Sequence, residues 1–131
     1  MEDRSKVKRP RNTLWSLKRK ARKRVGIAKD RPCLVVQSNL FSPYGTRAVC
    51  TITSCFEKDP KTGMIKNIKD VRDTQVPIAP DKQNGLSEPS LICCDQIHTV
   101  SDGDFGKQWG EVDIKIVEKV DAALKLSLGL K

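Results

Sequence analysis

The chain has a single histidine, His98, among 131 residues, so no pair of imidazoles can serve as acid and base within one subunit. Aromatic residues make up only 5 %, which leaves a core built mainly from Val, Ile and Leu. The longest apolar stretches, such as residues 33–36, run a few residues, against the roughly 20 that a helix needs to span a bilayer. The first 25 residues are basic but show neither the apolar stretch nor the small-residue cleavage site of a secretory signal, and a cytoplasmic location is expected. The five cysteines are odd in number and lack the C-x-x-C spacing of tetrahedral zinc sites, so they read as reduced core residues. Closely spaced His, Asp or Glu clusters for metal-assisted hydrolysis are missing too, and no metal ligand is assigned.

Positive charge is abundant and unevenly placed. The formal net charge is +9, yet residues 1–31 hold 13 Lys/Arg against 3 Asp/Glu, and the remaining hundred are close to neutral. The excess peaks in KRKARKR at residues 18–24, where like charges cannot neutralise one another and must face solvent or a polyanion. Nucleic acid is the natural polyanion, with Lys20, Lys23 and Arg24 as candidate contacts. The bland alternative is a solvated, flexible arm. Its position, leading directly into Arg31 and the first strong strand, favours a mobile basic segment beside a pocket.

The length fits one domain, taken as residues 11–131 after a disordered basic tail at 1–10. NTLWSL at 12–17 is a weak first strand. Pro32 forces Arg31 into an extended conformation and opens a second strand that ends at Gln37, Ser38 and Asn39. SPYG at 42–45 is a turn, and RAVCTIT at 47–53 is a β-branched strand in which Val49, Thr51 and Thr53 share a face. The charged stretch 54–74 reads as a long hairpin excursion with the reach of a lid. QVPIAP at 75–80 is an edge strand, because its two prolines cannot both sit in a central ladder. SLICCDQI at 90–97 is the most apolar strand, which requires Asp95 to emerge near its end or to find a partner. KQWGEV at 107–112 is a further short strand. From Asp113, an N-cap, Ile116, Val117, Val120, Leu124 and Leu128 recur at helical spacing until Gly129 stops the helix. Five or six strands and a terminal helix, without βαβ rhythm, predict a mainly β fold: a small antiparallel barrel with an attached helix.

Asp95, Arg31 and the residues near them form the constellation suited to phosphate chemistry. Cutting RNA through its own 2′-hydroxyl needs a base for that proton, cations and donors for charge growing on phosphorus, and an acid for the departing 5′-oxygen. Asp95 is a candidate base, Arg31 a bidentate phosphate clamp and Thr53 a hydroxyl donor, with Gln96 and His98 as substrate contacts. Each also has a plain structural reading, as turn cap, surface ion pair or strand residue. A cysteine nucleophile is disfavoured, because nothing flanks Cys93 or Cys94 that would lower a thiol pKa apart from the distant His98.

In their order along the chain, RPCLVVQSN at 31–39, AVCTITS at 48–54, LICCDQIHTVS at 91–101 and KVDAALKLSLGL at 119–130 resemble the MazF/PemK (Kid-like) toxins of bacterial toxin–antitoxin pairs. The resemblance implies an SH3-like barrel of the CcdB/MazF type that forms a homodimer. It implies a metal-independent, cofactor-free endoribonuclease that cuts single-stranded RNA at short motifs and is blocked by a cognate antitoxin. The roles it implies are phosphate stabilisation and proton transfer for Arg31, transition-state support for Thr53, and the base for Asp95. The chain departs from the pattern at Cys93, where some members have a second arginine, and at His98, where arginine is usual. Two other readings remain open: a CcdB-like toxin that poisons gyrase without cutting RNA, and a non-catalytic basic SH3-like module that binds nucleic acid.

Overall fold

The computed structural model describes residues 9–26, 31–38 and 45–130. Strands β1 (Thr13–Leu17), β2 (Pro32–Val35), β3 (Thr46–Ser54), β6 (Gln75–Ile78), β7 (Ser90–Ser101) and β8 (Phe105–Glu111) form one sheet in the order β6-β7-β3-β2-β1-β8. Every neighbouring pair is antiparallel. β4 (Phe56–Lys58) and β5 (Ile65–Ile68) make a separate hairpin, and two helices, α1 (Arg19–Val25) and α2 (Ile114–Leu128), complete the fold. The mainly β architecture with a closing helix matches the sequence reading. The sheet is open rather than closed into a barrel. One edge is β6, only four residues long and carrying Pro77, which has no N–H to offer a further strand.

Both faces of the sheet are buried, which explains why its central strands read as continuous apolar runs. Leu14, Leu34, Cys50, Ile52 and Ile92 point to one side, where Val120 and Ala123 of α2 cover them. Cys33, Val35, Val49 and Val100 point to the other, where Ala21 of α1 closes over them beside Phe105. Fully buried leucines such as Leu14 and Leu34 each contribute about 1.5–3 kcal/mol relative to exposure. The residues 18–24, expected to be mobile, are therefore largely helical: buried Ala21, with Val25 packed beside it, seats a short helix whose Arg19, Lys20, Lys23 and Arg24 are exposed. Arg9, assigned from sequence to a disordered tail, packs with its guanidinium 5.1 Å from the Trp15 ring and 4.8 Å from Phe105, and pairs with Asp102 at 3.3 Å. Residues 1–8 of that tail lie outside the described residues, as do Asn39 and most of the expected 42–45 turn.

Helix α2 begins as its sequence dictates, with the Asp113 carboxylate accepting from Ile116 N at 3.0 Å, and it ends at Gly129, whose φ of 69° is left-handed. Leu128, placed by periodicity on the buried face, is 58 % exposed, because the buried residues of α2 are Val120 and Ala123, well before its last turn. Arg11 ties the sheet to this helix, donating from Nε to Val36 O at 2.8 Å and pairing with Asp121.

The connection from β6 to β7 is fixed by Asn84, which is almost completely buried. Its Oδ1 accepts from Asp81 N at 3.1 Å and Leu86 N at 2.9 Å, while Nδ2 donates to Ala79 O at 2.9 Å. β8 lies directly against this loop, and a Cβ on Gly110 would stand 2.1 Å from Gln83 O, so only glycine allows the approach. The rigid loop delivers Glu88 to the neighbourhood of Arg31.

Candidate active site

A pronounced irregularity in β7 builds the site. Opposite β3, Cys50 pairs with Ile97 but the next residue, Thr51, pairs with Cys93, so residues 94–96 bulge out of the ladder. Bulges re-aim side chains. Here Asp95 turns toward the segment between β5 and β6, and Gln96 turns back to accept the Thr51 hydroxyl at 2.8 Å. Cys94 N bonds Thr74 O at 2.9 Å, which holds that segment against the bulge.

Between the bulge, β3 and the hairpin lies a cleft of about 560 Å³. Arg31, Thr53 and Gln96 line it, so three of the residues selected from sequence converge on one hollow. The Arg31 guanidinium is fixed by Glu88 at 3.1 Å, with both side chains about three-quarters buried. Thr53 stands on β3 with its hydroxyl accepting from Lys69 Nζ at 3.2 Å, which leaves the hydroxyl proton free to be donated elsewhere.

Asp95 is not among the residues lining the cleft; it reaches the cleft through Arg72, which is. Its Oδ2 accepts from Arg72 Nε and from Thr74 Oγ1, both at 2.8 Å. The Arg72 hydrogen bond holds the Asp95 carboxyl below the ordinary aspartate value, and the Thr74 hydroxyl adds to this, so the group is ionised at neutral pH. Lys20, Lys23 and Arg24 lie outside the cleft on the exposed side of α1, with Arg24 paired to Asp104 at 2.6 Å. The helix nevertheless runs into the site, for Val25 and Gly26 at its end are part of the cleft wall. His98 also stays outside, half-buried in the ladder opposite Val49. Burial pushes the Cys93 thiol up and the Cys33 thiol up to about 12, which keeps both protonated and unreactive at neutral pH. Among the described residues no group of three or more His, Cys, Asp or Glu is placed to hold a metal ion.

The model of the PemK-like, MazF-like toxins of type II toxin–antitoxin systems matches residues 14–128. The chain belongs to this family. Among solved structures, this MazF-like toxin is similar to an endoribonuclease in complex with its cognate antitoxin from a Mycobacterial species, with a TM-score of 0.68 and 18 % identity, covering 95 % of this chain and 98 % of that one. It is similar to the Mycobacterium tuberculosis toxin MazF-mt6, with a TM-score of 0.64 and 22 % identity over 91 % and 98 % of the two chains. It is also similar to the MazE–MazF of Deinococcus radiodurans, with a TM-score of 0.63 and 18 % identity over 95 % and 99 %. No curated protein matches the chain.

Two cleft residues of this MazF-like toxin escape a reading of its sequence. Lys69 and Arg72 sit in a run where acids and bases alternate, which has the composition of any solvated connection. Only the folded contacts, Lys69 to Thr53 and Arg72 to Asp95, single them out. No helix of the described residues is long and apolar enough to cross a membrane.

Proposed function

We propose that the chain is a cytoplasmic, metal-independent endoribonuclease toxin that cuts single-stranded RNA, acts as a homodimer and is held inactive by a cognate antitoxin. The observation that carries this is the convergence of Arg31 and Thr53 on one cleft whose wall includes further cations. The names of the structural neighbours support the same reading, since they include an endoribonuclease bound to its antitoxin and a MazE–MazF pair.

In the reaction the substrate's 2′-oxygen attacks phosphorus and its 5′-oxygen leaves. Arg31 binds the phosphate as a fork of donors and gives a proton to the leaving 5′-oxygen, recovering one from solvent afterwards, while the Thr53 hydroxyl donates to a nonbridging oxygen whose charge grows. Asp95 is the carboxylate that takes the 2′-proton. The approach of the substrate phosphate draws Arg72 away from Asp95, and loss of that partner raises the carboxyl pKa and makes it a better base. The exposed cations Lys20, Lys23 and Arg24 hold the flanking RNA backbone, Gln96 contacts the substrate inside the cleft, and His98 contacts it from the adjoining ladder.

The test is product chemistry. A defined single-stranded RNA incubated with the protein in EDTA is expected to yield 2′,3′-cyclic phosphate and 5′-hydroxyl ends, with the matching DNA left intact. RNA that stays whole while the protein still arrests growth contradicts the nuclease and favours a toxin acting on a protein target. Cleavage that disappears with the chelator contradicts the metal-independent chemistry.

A further inference from the structure

Among the described residues three cations line the cleft, and their pairings differ. Arg31 is neutralised by Glu88 at 3.1 Å and Arg72 by Asp95 at 2.8 Å. Lys69 is not neutralised: among the described residues no carboxylate lies within ion-pairing distance of its Nζ, although Glu57 and Asp70 also belong to the cleft wall. The hydrogen bond of its ammonium goes to a neutral oxygen, Thr53 Oγ1, at 3.2 Å. The placement is structural rather than incidental, because the Lys69 backbone N–H bonds Cys55 O at 2.9 Å and fixes the exit of the hairpin beside the end of β3. A half-buried ammonium satisfied by one hydroxyl has two further N–H donors and an uncompensated charge, which is the arrangement that receives an anion.

We infer that Lys69 makes the first phosphate contact in the cleft, alongside the clamp of Arg31, and that it also positions Thr53. By donating to Oγ1 it occupies a lone pair of that oxygen, so the Thr53 proton is directed away from Lys69, into the space where the phosphate sits. One ammonium thus contacts the anion and orients the second donor to it. Arg31 and Arg72 each already share their charge with a carboxylate, whereas Lys69 does not. The inference rests on the reading of the cleft as an RNA site, and it names the residue that makes the first phosphate contact.

The experiment measures binding of a fluorescently labelled, mixed-sequence 2′-O-methyl RNA 12-mer, which cannot be cut because the nucleophile is blocked, across a range of salt concentrations. Wild type is compared with Lys69→Met, Lys69→Arg and Lys115→Met, the last on the exposed side of α2. Lys69→Met is expected to weaken binding about tenfold at moderate salt and to lower the slope of log K against log salt by about 0.7, the value of one released counterion on a single strand. Lys69→Arg restores the slope, and Lys115→Met leaves it unchanged. A Lys69→Met protein that binds like wild type, or no worse than Lys115→Met, overturns the inference and leaves the RNA reading standing. A wild-type protein with no salt-dependent binding removes both.

Discussion

Replacing Thr53 with valine isolates one hydroxyl in the cleft. The side chain lies on β3 opposite Leu91, and valine keeps the β-branched shape that this strand position favours. The structural cost is therefore small. One hydrogen bond, from Lys69 Nζ at 3.2 Å, is lost, and because Lys69 is partly exposed water replaces it, so the net loss of stability is about 0.5–1 kcal/mol. The catalytic cost is larger if the hydroxyl donates to the phosphate in the transition state, since removing one preorganised donor of this kind lowers kcat by about 10²–10³. KM should move little, because Arg31 still binds the ground-state phosphate. Thr53→Ser, which keeps the oxygen, is expected to stay within about tenfold of wild type. Initial rates on a single-stranded RNA, with thermal unfolding as the control for folding, give both numbers. Thr53→Val within threefold of wild type in kcat, or an effect confined to KM, refutes the assigned role.

Three further outcomes follow from the same contacts. Arg72→Ala removes the partner that depresses Asp95, so the carboxyl midpoint followed by NMR should rise toward the ordinary aspartate value; an unchanged midpoint contradicts the pairing. A depressed folded pKa means that this pair adds stability above the unfolded value and that the contribution is lost as pH falls through the folded one, so below about pH 4 wild type and Arg72→Ala should converge in stability. Asn84→Ala leaves two backbone N–H groups and one carbonyl without their partners, and should cost about 3 kcal/mol, or about 10 °C in Tm; urea unfolding that shows less than 1 kcal/mol contradicts the account of that loop. Native protein treated with iodoacetamide at neutral pH should be modified slowly and at Cys55 first, because the other four thiols are buried; rapid labelling of Cys93 contradicts its raised pKa.

The elements legible in the sequence are those whose packing is periodic or capped. Asp113 and Gly129 bracket α2, Pro32 opens β2, and the prolines of 75–80 place β6 at an edge, each through a local rule that the tertiary fold does not override. Helix α1 is hidden because its sequence is a charge run with one buried residue, Ala21, and only the sheet face beneath supplies the reason to fold. The bulge at residues 94–96 is equally silent, since LICCDQIHTV reads as one strand and the three extra residues show only in the register with β3. For the site, Arg31, Thr53 and Gln96 were recoverable because they flank apolar strands. Lys69 and Arg72 were not, because a charged connection looks the same whether it faces water or a cleft. The continuous strand reading also hid that Asp95 faces Arg72 rather than opening directly on the cleft.

The account centres on Arg31 as the group that holds the reacting phosphate, and single-turnover cleavage of a single-stranded RNA by wild type and Arg31→Ala, both in EDTA, addresses it most directly. Chelator-insensitive cutting by wild type and a rate lower by at least about 10² in a folded Arg31→Ala protein are predicted. Equal rates for the two proteins contradict it.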